Sequence, residues 1–128
     1  MANQVTNIGG MLSAVTTTIA YTNSTAVTIA TLPANAQIVN INIDVTTAFN
    51  AGTTNTVTVG KTGTAAAYVT STSVGSAGRA SVASTGVYSA WADTGSSEVS
   101  ATITYSQTGT AATAGAARVT IVYKYVDV

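Results

Sequence analysis

The chain has 128 residues, with four Lys/Arg, four Asp/Glu, one Pro, no His and no Cys, and a formal net charge of zero. Charged residues make up 6% of it, against roughly 25% in an ordinary soluble domain, while Thr, Ala, Val and Ser fill about three fifths of the positions. That composition excludes the usual zinc and iron–sulfur sites, an imidazole base, a thiolate nucleophile and a disulfide framework; with nothing to neutralise a run of phosphates, neither nucleic acid nor an anionic membrane is expected as a partner, and no cofactor is implied.

Residues 1–12 carry Val5, Ile8, Met11 and Leu12 around the pair Gly9-Gly10, more hydrophobic side chains than an unpaired tail usually holds. They are expected to form an arm or edge segment ahead of a single β-sandwich domain over 13–128. An edge strand or frayed terminus fits them, and so does an arm packed on a neighbouring subunit; on the second reading these four residues are the candidate interaction residues. No basic segment leads into an apolar one, so no secretory signal is visible. No stretch approaches about 18 consecutive apolar positions, so no membrane span is expected. Synthesis in a cytoplasm without export follows as the default.

Weak strands built on Thr and Val are expected at 15–21 and 26–31. The turn Pro33-Ala34-Asn35 then leads to the clearest pattern in the chain. Val39, Ile41, Ile43 and Val45 alternate with Asn40, Asn42 and Asp44, which puts four β-branched residues on one face of a strand and the polar residues on the other, with Ile38 extending it at the start. Further strands are expected at 56–60, 65–70, 79–83 and 87–91. Val99, Ala101, Ile103 and Tyr105 alternate cleanly with Ser100, Thr102 and Thr104. In the last strand Val119, Ile121, Tyr123 and Tyr125 share one face, and Thr120, Val122, Lys124 and Val126 the other, so both faces are covered and a central position is expected. The Ala-rich stretch 111–117 is interrupted by Gly115 and reads as a long loop. Turn signals between these segments have the spacing of a sandwich or barrel. The expectation is an all-β protein: an antiparallel β-sandwich, jelly-roll-like, of eight to nine strands.

Chemistry-bearing motifs are sparse. Gly60-Lys61-Thr62 resembles the end of a phosphate-binding loop, but such a loop needs a Gly five residues before the Gly-Lys pair, and position 55 is Asn. Asn23-Ser24-Thr25 satisfies the glycosylation sequon, a pattern that arises by chance in a chain so rich in Ser and Thr. Glycoside hydrolysis needs two carboxylates across a cleft; Asp44, Asp93, Glu98 and Asp127 are scattered, so Asp44 and Glu98 are weak candidates, and a calcium cage is equally short of oxygens. No catalytic or metal-binding residue is expected. Tyr88 with Trp91, or Tyr123 with Tyr125, are the available aromatic platforms for a sugar ring, but the first pair would point to opposite faces of a regular strand and the second shares a face with core residues.

The missing charge has its own consequence. A folded chain of this mass exposes roughly 6,200 Å², or about one charged side chain per 780 Å². A protein-binding patch of ordinary size, about 800 Å² per partner, would therefore meet about one charge, and desolvating it would be cheap. A free monomer with β edges and so few Lys and Glu lacks the usual protection against edge pairing. Much of the surface is expected to be covered in use.

The stretch from Leu32 to Val39, followed by Val45-Thr46-Thr47-Ala48-Phe49-Asn50-Ala51-Gly52-Thr53 and by Val57-Thr58-Val59-Gly60, resembles small virion structural proteins of tailed bacteriophages. In these a Leu-Pro turn enters an alternating strand, a Thr-Ala-Phe-Asn segment crosses over, and a Thr-Val-Gly strand follows. The resemblance is to the capsid decoration (cement) type. It implies a compact, often trimeric β-sandwich on the capsid surface that clamps neighbouring copies of the major capsid protein, and it carries no interface residue with it. A phage tail or receptor-binding piece, or a carbohydrate-binding module, shares the same vocabulary and is the alternative.

Overall fold

The computed structural model describes residues 12–82 and 85–125. Along the chain run β1 (Ser13–Ala20), β2 (Val27–Leu32), β3 (Ala36–Thr47), β4 (Thr54–Lys61), β5 (Thr64–Ser73), β6 (Gly78–Val82), a single helical turn α1 (Tyr88–Ala92), β7 (Val99–Thr108) and β8 (Ala116–Tyr125). The strands pair first with last: β1 with β8, β2 with β7, β3 with β6 and β4 with β5, all antiparallel. This long hairpin is then rolled, so that β3 also lies against β8 and β4 against β7. Two four-stranded sheets result, ordered β1-β8-β3-β6 and β2-β7-β4-β5. The chain is thus an all-β antiparallel sandwich, and β8 lies inside its sheet between β1 and β3, the central position expected of it.

The core lies between the sheets and is made by the period-two residues. Ile19, Ile41, Ile43, Val119 and Ile121 come from one sheet, and Leu32, Val57, Val59, Ile103 and Tyr105 from the other. Residues 48–53 carry the chain from β3 in the first sheet to β4 in the second. At this crossover Phe49 is buried against Tyr105, with ring centroids 4.6 Å apart. Asn50 Oδ1 accepts from the backbone N–H groups of Thr113 and Ala114. That bond fixes the loop before β8, which is a loop and not a helix, as Gly115 suggests.

Two sequence expectations need correction. Val39 does not join the apolar face of β3: it is 46% exposed while Ile38 is 4% exposed. The register against β8 shifts between Ile38 and Asn40, so a β-bulge inserts one residue and resets the alternation. Asn40 Oδ1 accepts from the Ile41 N–H at 2.9 Å, satisfying a backbone donor beside the bulge.

The other correction concerns 87–91, which forms most of α1 and not a ninth strand. Val87, Tyr88 and Trp91 favour strands, but packing overrides that preference. Gly86 and Val87 donate their N–H groups to the carbonyls of Tyr68 and Ala67 at 3.2 and 2.7 Å, so the edge of β5 is already met there. The chain then turns inward and buries Ala90 and Trp91.

Candidate interaction surface

The Gly60-Lys61-Thr62 segment forms no phosphate-binding loop. Gly60 and Lys61 end β4, and Thr62-Gly63 is the two-residue turn into β5. A Cβ on Gly60 would stand 2.2 Å from the Thr64 carbonyl oxygen, so this glycine permits close backbone approach within the hairpin. The Asn23 Oδ1 accepts from the Ala20 N–H at 2.7 Å and closes the turn after β1.

The described carboxylates are dispersed, and two of them are occupied by structural partners. Asp93 Oδ1 accepts from the Gly95 N–H at 2.8 Å, and the Asp44 carboxylate is paired with the Arg118 guanidinium. Glu98 is exposed at the start of β7. Among the described residues no three of His, Cys, Asp and Glu come together. The aromatic pairs are likewise split. Tyr88 is 74% exposed, whereas Trp91 is buried and donates Nε1–H to the Tyr68 carbonyl at 2.7 Å. Tyr123 packs against the core, and Tyr125 is 43% exposed at the end of β8. Burial raises the pKa of the Tyr68 and Tyr105 phenols above the ordinary tyrosine value.

What the described residues offer instead are two broad faces of opposite character. The outer face of the β2-β7-β4-β5 sheet carries hydroxyls: Thr28 lies opposite Thr102, Thr58 opposite Thr104, and Thr56 opposite Ser106. The Thr104 hydroxyl is buried with no hydrogen-bond partner among the described residues. The outer face of the β1-β8-β3-β6 sheet carries both arginines of the chain. Asp44 on β3 stands in register with Arg118 on β8 and with Arg79 on β6, so the three charges form one row across three strands.

Beside this row lies a hollow of about 350 Å³ lined also by Thr16, Asn42 and Thr120, where the Thr16 and Thr120 hydroxyls are hydrogen-bonded at 2.9 Å. Toward the other end of the same face Ala14 stands opposite Val122, with Leu12 58% exposed just before β1. Val5, Ile8 and Met11, the other residues singled out in the N-terminal segment, lie outside the described residues. The arginine row is the feature that sequence reading missed. Residues 44, 79 and 118 are far apart in the chain, and only the strand register brings them together.

No protein-family model matches the chain, and no curated protein matches it. Solved structures do. A chain of the cyanophage Pam1 capsid asymmetric unit superposes with a TM-score of 0.72 at 20% identity, covering 97% of this chain and 91% of that one. A chain of the acidic stable capsid structure of Helicobacter pylori bacteriophage KHP30 gives 0.69 at 12% identity, over 94% and 92%. A chain of the capsid of Ralstonia phage GP4 gives 0.68 at 15% identity, over 100% and 93%. At these identities the likeness is one of fold, and it extends over nearly the whole of each chain. It agrees with the resemblance to tailed-phage virion structural proteins carried by Leu32 to Gly60.

Proposed function

We propose that this protein is a non-catalytic structural component of a tailed-phage virion, one that decorates the capsid and stabilises it by binding adjacent major capsid subunits. The observation that carries this reading is the fold, shared over more than nine tenths of their length with chains of three phage capsid structures. Two features of the chain support it. The pairing of β1 with β8 through β4 with β5, rolled into two sheets, follows the path of a jelly roll, an architecture common in viral capsid domains. The chain as a whole is also poor in charge, with 6% charged residues, so most of its surface can be covered at little desolvation cost.

On this reading the protein acts by mass action. A protein that binds only the assembled shell adds its binding free energy to that state, and an oligomer, which we propose to be a homotrimer, gains avidity by touching several capsid subunits at once. It would be made in the host cytoplasm and reside on the capsid surface. The test is co-sedimentation with shells that lack the protein. Saturable binding at a fixed ratio to the major capsid protein supports the proposal, and its absence at micromolar concentrations overturns it.

A receptor-binding or carbohydrate-binding role in a tail is the second reading. It is favoured by the exposure of Tyr88, whose chain neighbours Val87 and Ser89 line a second hollow of about 360 Å³ together with Lys61 and Asp93. The burial of Trp91 leaves one aromatic ring there where a platform needs two. A glycan array distinguishes the readings, because a capsid clamp shows no saturable sugar response.

A further inference from the structure

The row Arg118, Asp44, Arg79 gathers three of the chain's eight charged side chains, including both guanidinium groups, on one sheet face. The Arg118 side chain is 54% exposed and Asp44 24%. An ion pair that open to solvent is worth about 0–1 kcal/mol, so its contribution to holding the fold is small. Its geometric effect is larger: the carboxylate anchors one guanidinium at a fixed place on a rigid sheet. Arg79 stands on the other side of the same carboxylate, is exposed, and has no ion-pair or hydrogen-bond partner among the described residues. The row thus carries an excess of one positive charge on a protein whose net charge is zero.

We infer that this outer face of the β1-β8-β3-β6 sheet docks a carboxylate-bearing segment of a protein partner, gripped by Arg79 and Arg118 over the hollow lined by Thr16, Asn42 and Thr120. The partner's place in a virion rests on the function proposed above; the face and the chemistry it selects rest on the row itself. A guanidinium matches a carboxylate with two parallel hydrogen bonds, and arginine is enriched where interfaces bind tightly. Toward the other end of the face, Leu12 and the Ala14–Val122 pair, on the same side of β8 as Lys124, add apolar area that gains from leaving water.

A nucleic acid fits the row poorly. Two arginines around a central carboxylate cannot neutralise the run of phosphates on which such binding depends. The opposite face offers hydroxyls and, at the end of β4, the ammonium of Lys61 beside Thr28 and Thr102, which cannot fork onto a carboxylate as a guanidinium does.

The test uses Arg79→Glu, which removes an exposed, unpaired side chain and leaves the Arg118–Asp44 pair intact. Lys61→Glu is the control, making the same change of charge on the other sheet. The first readout is amide chemical shifts of the labelled protein titrated with a hexaglutamate peptide. We expect salt-sensitive changes at Asn42, Asp44, Arg79, Arg118 and Thr120 that Arg79→Glu abolishes and Lys61→Glu keeps. Changes elsewhere, or none, overturn the docking face.

The second readout is binding to shells lacking the protein, where Arg79→Glu weakens affinity about tenfold or more and Lys61→Glu changes it less than twofold. Equal binding by wild type and Arg79→Glu overturns this face and leaves the virion reading standing. Peptide binding at the row by a wild type that ignores shells does the reverse. A change in oligomer mass in Arg79→Glu with unchanged shell binding would make the partner a second copy of this chain and overturn the proposal.

Discussion

The carbonyl of Tyr68 accepts two hydrogen bonds, from Trp91 Nε1–H at 2.7 Å and from the Gly86 N–H at 3.2 Å. The Tyr68 and Trp91 rings also meet edge to face, with centroids 6.3 Å apart. One backbone oxygen of an edge strand thus holds both ends of the segment that covers it, and α1 is the means by which β5 is kept from pairing with another chain. Replacing the indole by a ring of similar shape removes one of the two bonds. Trp91→Phe should cost about 1–3 kcal/mol in urea or guanidinium unfolding. It should also raise amide exchange across 67–70 before it raises exchange in β7.

The bulge in β3 makes neighbouring residues behave oppositely. Val39→Thr should change stability by no more than about 0.5 kcal/mol, as at other exposed positions. Ile38→Ala should cost about 2–5 kcal/mol, as for a core isoleucine. Chemical denaturation of the two variants checks this, and a regular strand through position 39 would give the reverse order.

Gly115 combines a backbone φ of +149° with a position where a Cβ would stand 2.4 Å from the Phe49 ring. Gly115→Ala therefore adds backbone strain to overpacking of the crossover, and should lose about 2–5 kcal/mol. Phe49→Ala should cost less in this background than in the wild type in thermal unfolding, because it removes the Cγ and Cδ2 atoms that the new methyl group meets.

Alkaline pH should weaken the fold. The Tyr68 and Tyr105 phenols have raised pKa values because burial disfavours the phenolate, whereas in the unfolded chain they titrate at about 10. Below that value both states keep the protons and stability does not depend on these groups. Above it the unfolded state releases protons that the folded state retains, so stability falls as pH rises toward the folded values. Melting temperature should be insensitive to these groups from pH 7 to 9 and drop above about pH 10. Tyr105→Phe should make the drop shallower, while losing about 1 kcal/mol at neutral pH with its hydroxyl bond to Asn55 Oδ1.

Most of the fold was legible in the sequence because its strands obey a period of two. Ile41, Ile43 and Val45 point inward as their spacing requires, and so do Ala101, Ile103 and Tyr105. The places where the pattern misled are those where a tertiary partner outweighs it. The bulge moves Val39 off the core face, and the Tyr68 carbonyl with its inward pocket bends 88–92 into a helical turn. The interaction surface was legible only as a scarcity of charge. Its arginine row depends on which strands are neighbours, and β6 beside β3 beside β8 is a long-range pairing that no local signal encodes.

The proposal that the protein works by covering a capsid is tested most directly by imaging phage shells assembled with and without it. The account predicts added density on the shell exterior, bridging adjacent major capsid subunits, into which the two-sheet sandwich fits with the Arg79 and Arg118 face toward the shell. Shells indistinguishable with and without saturating protein would contradict it.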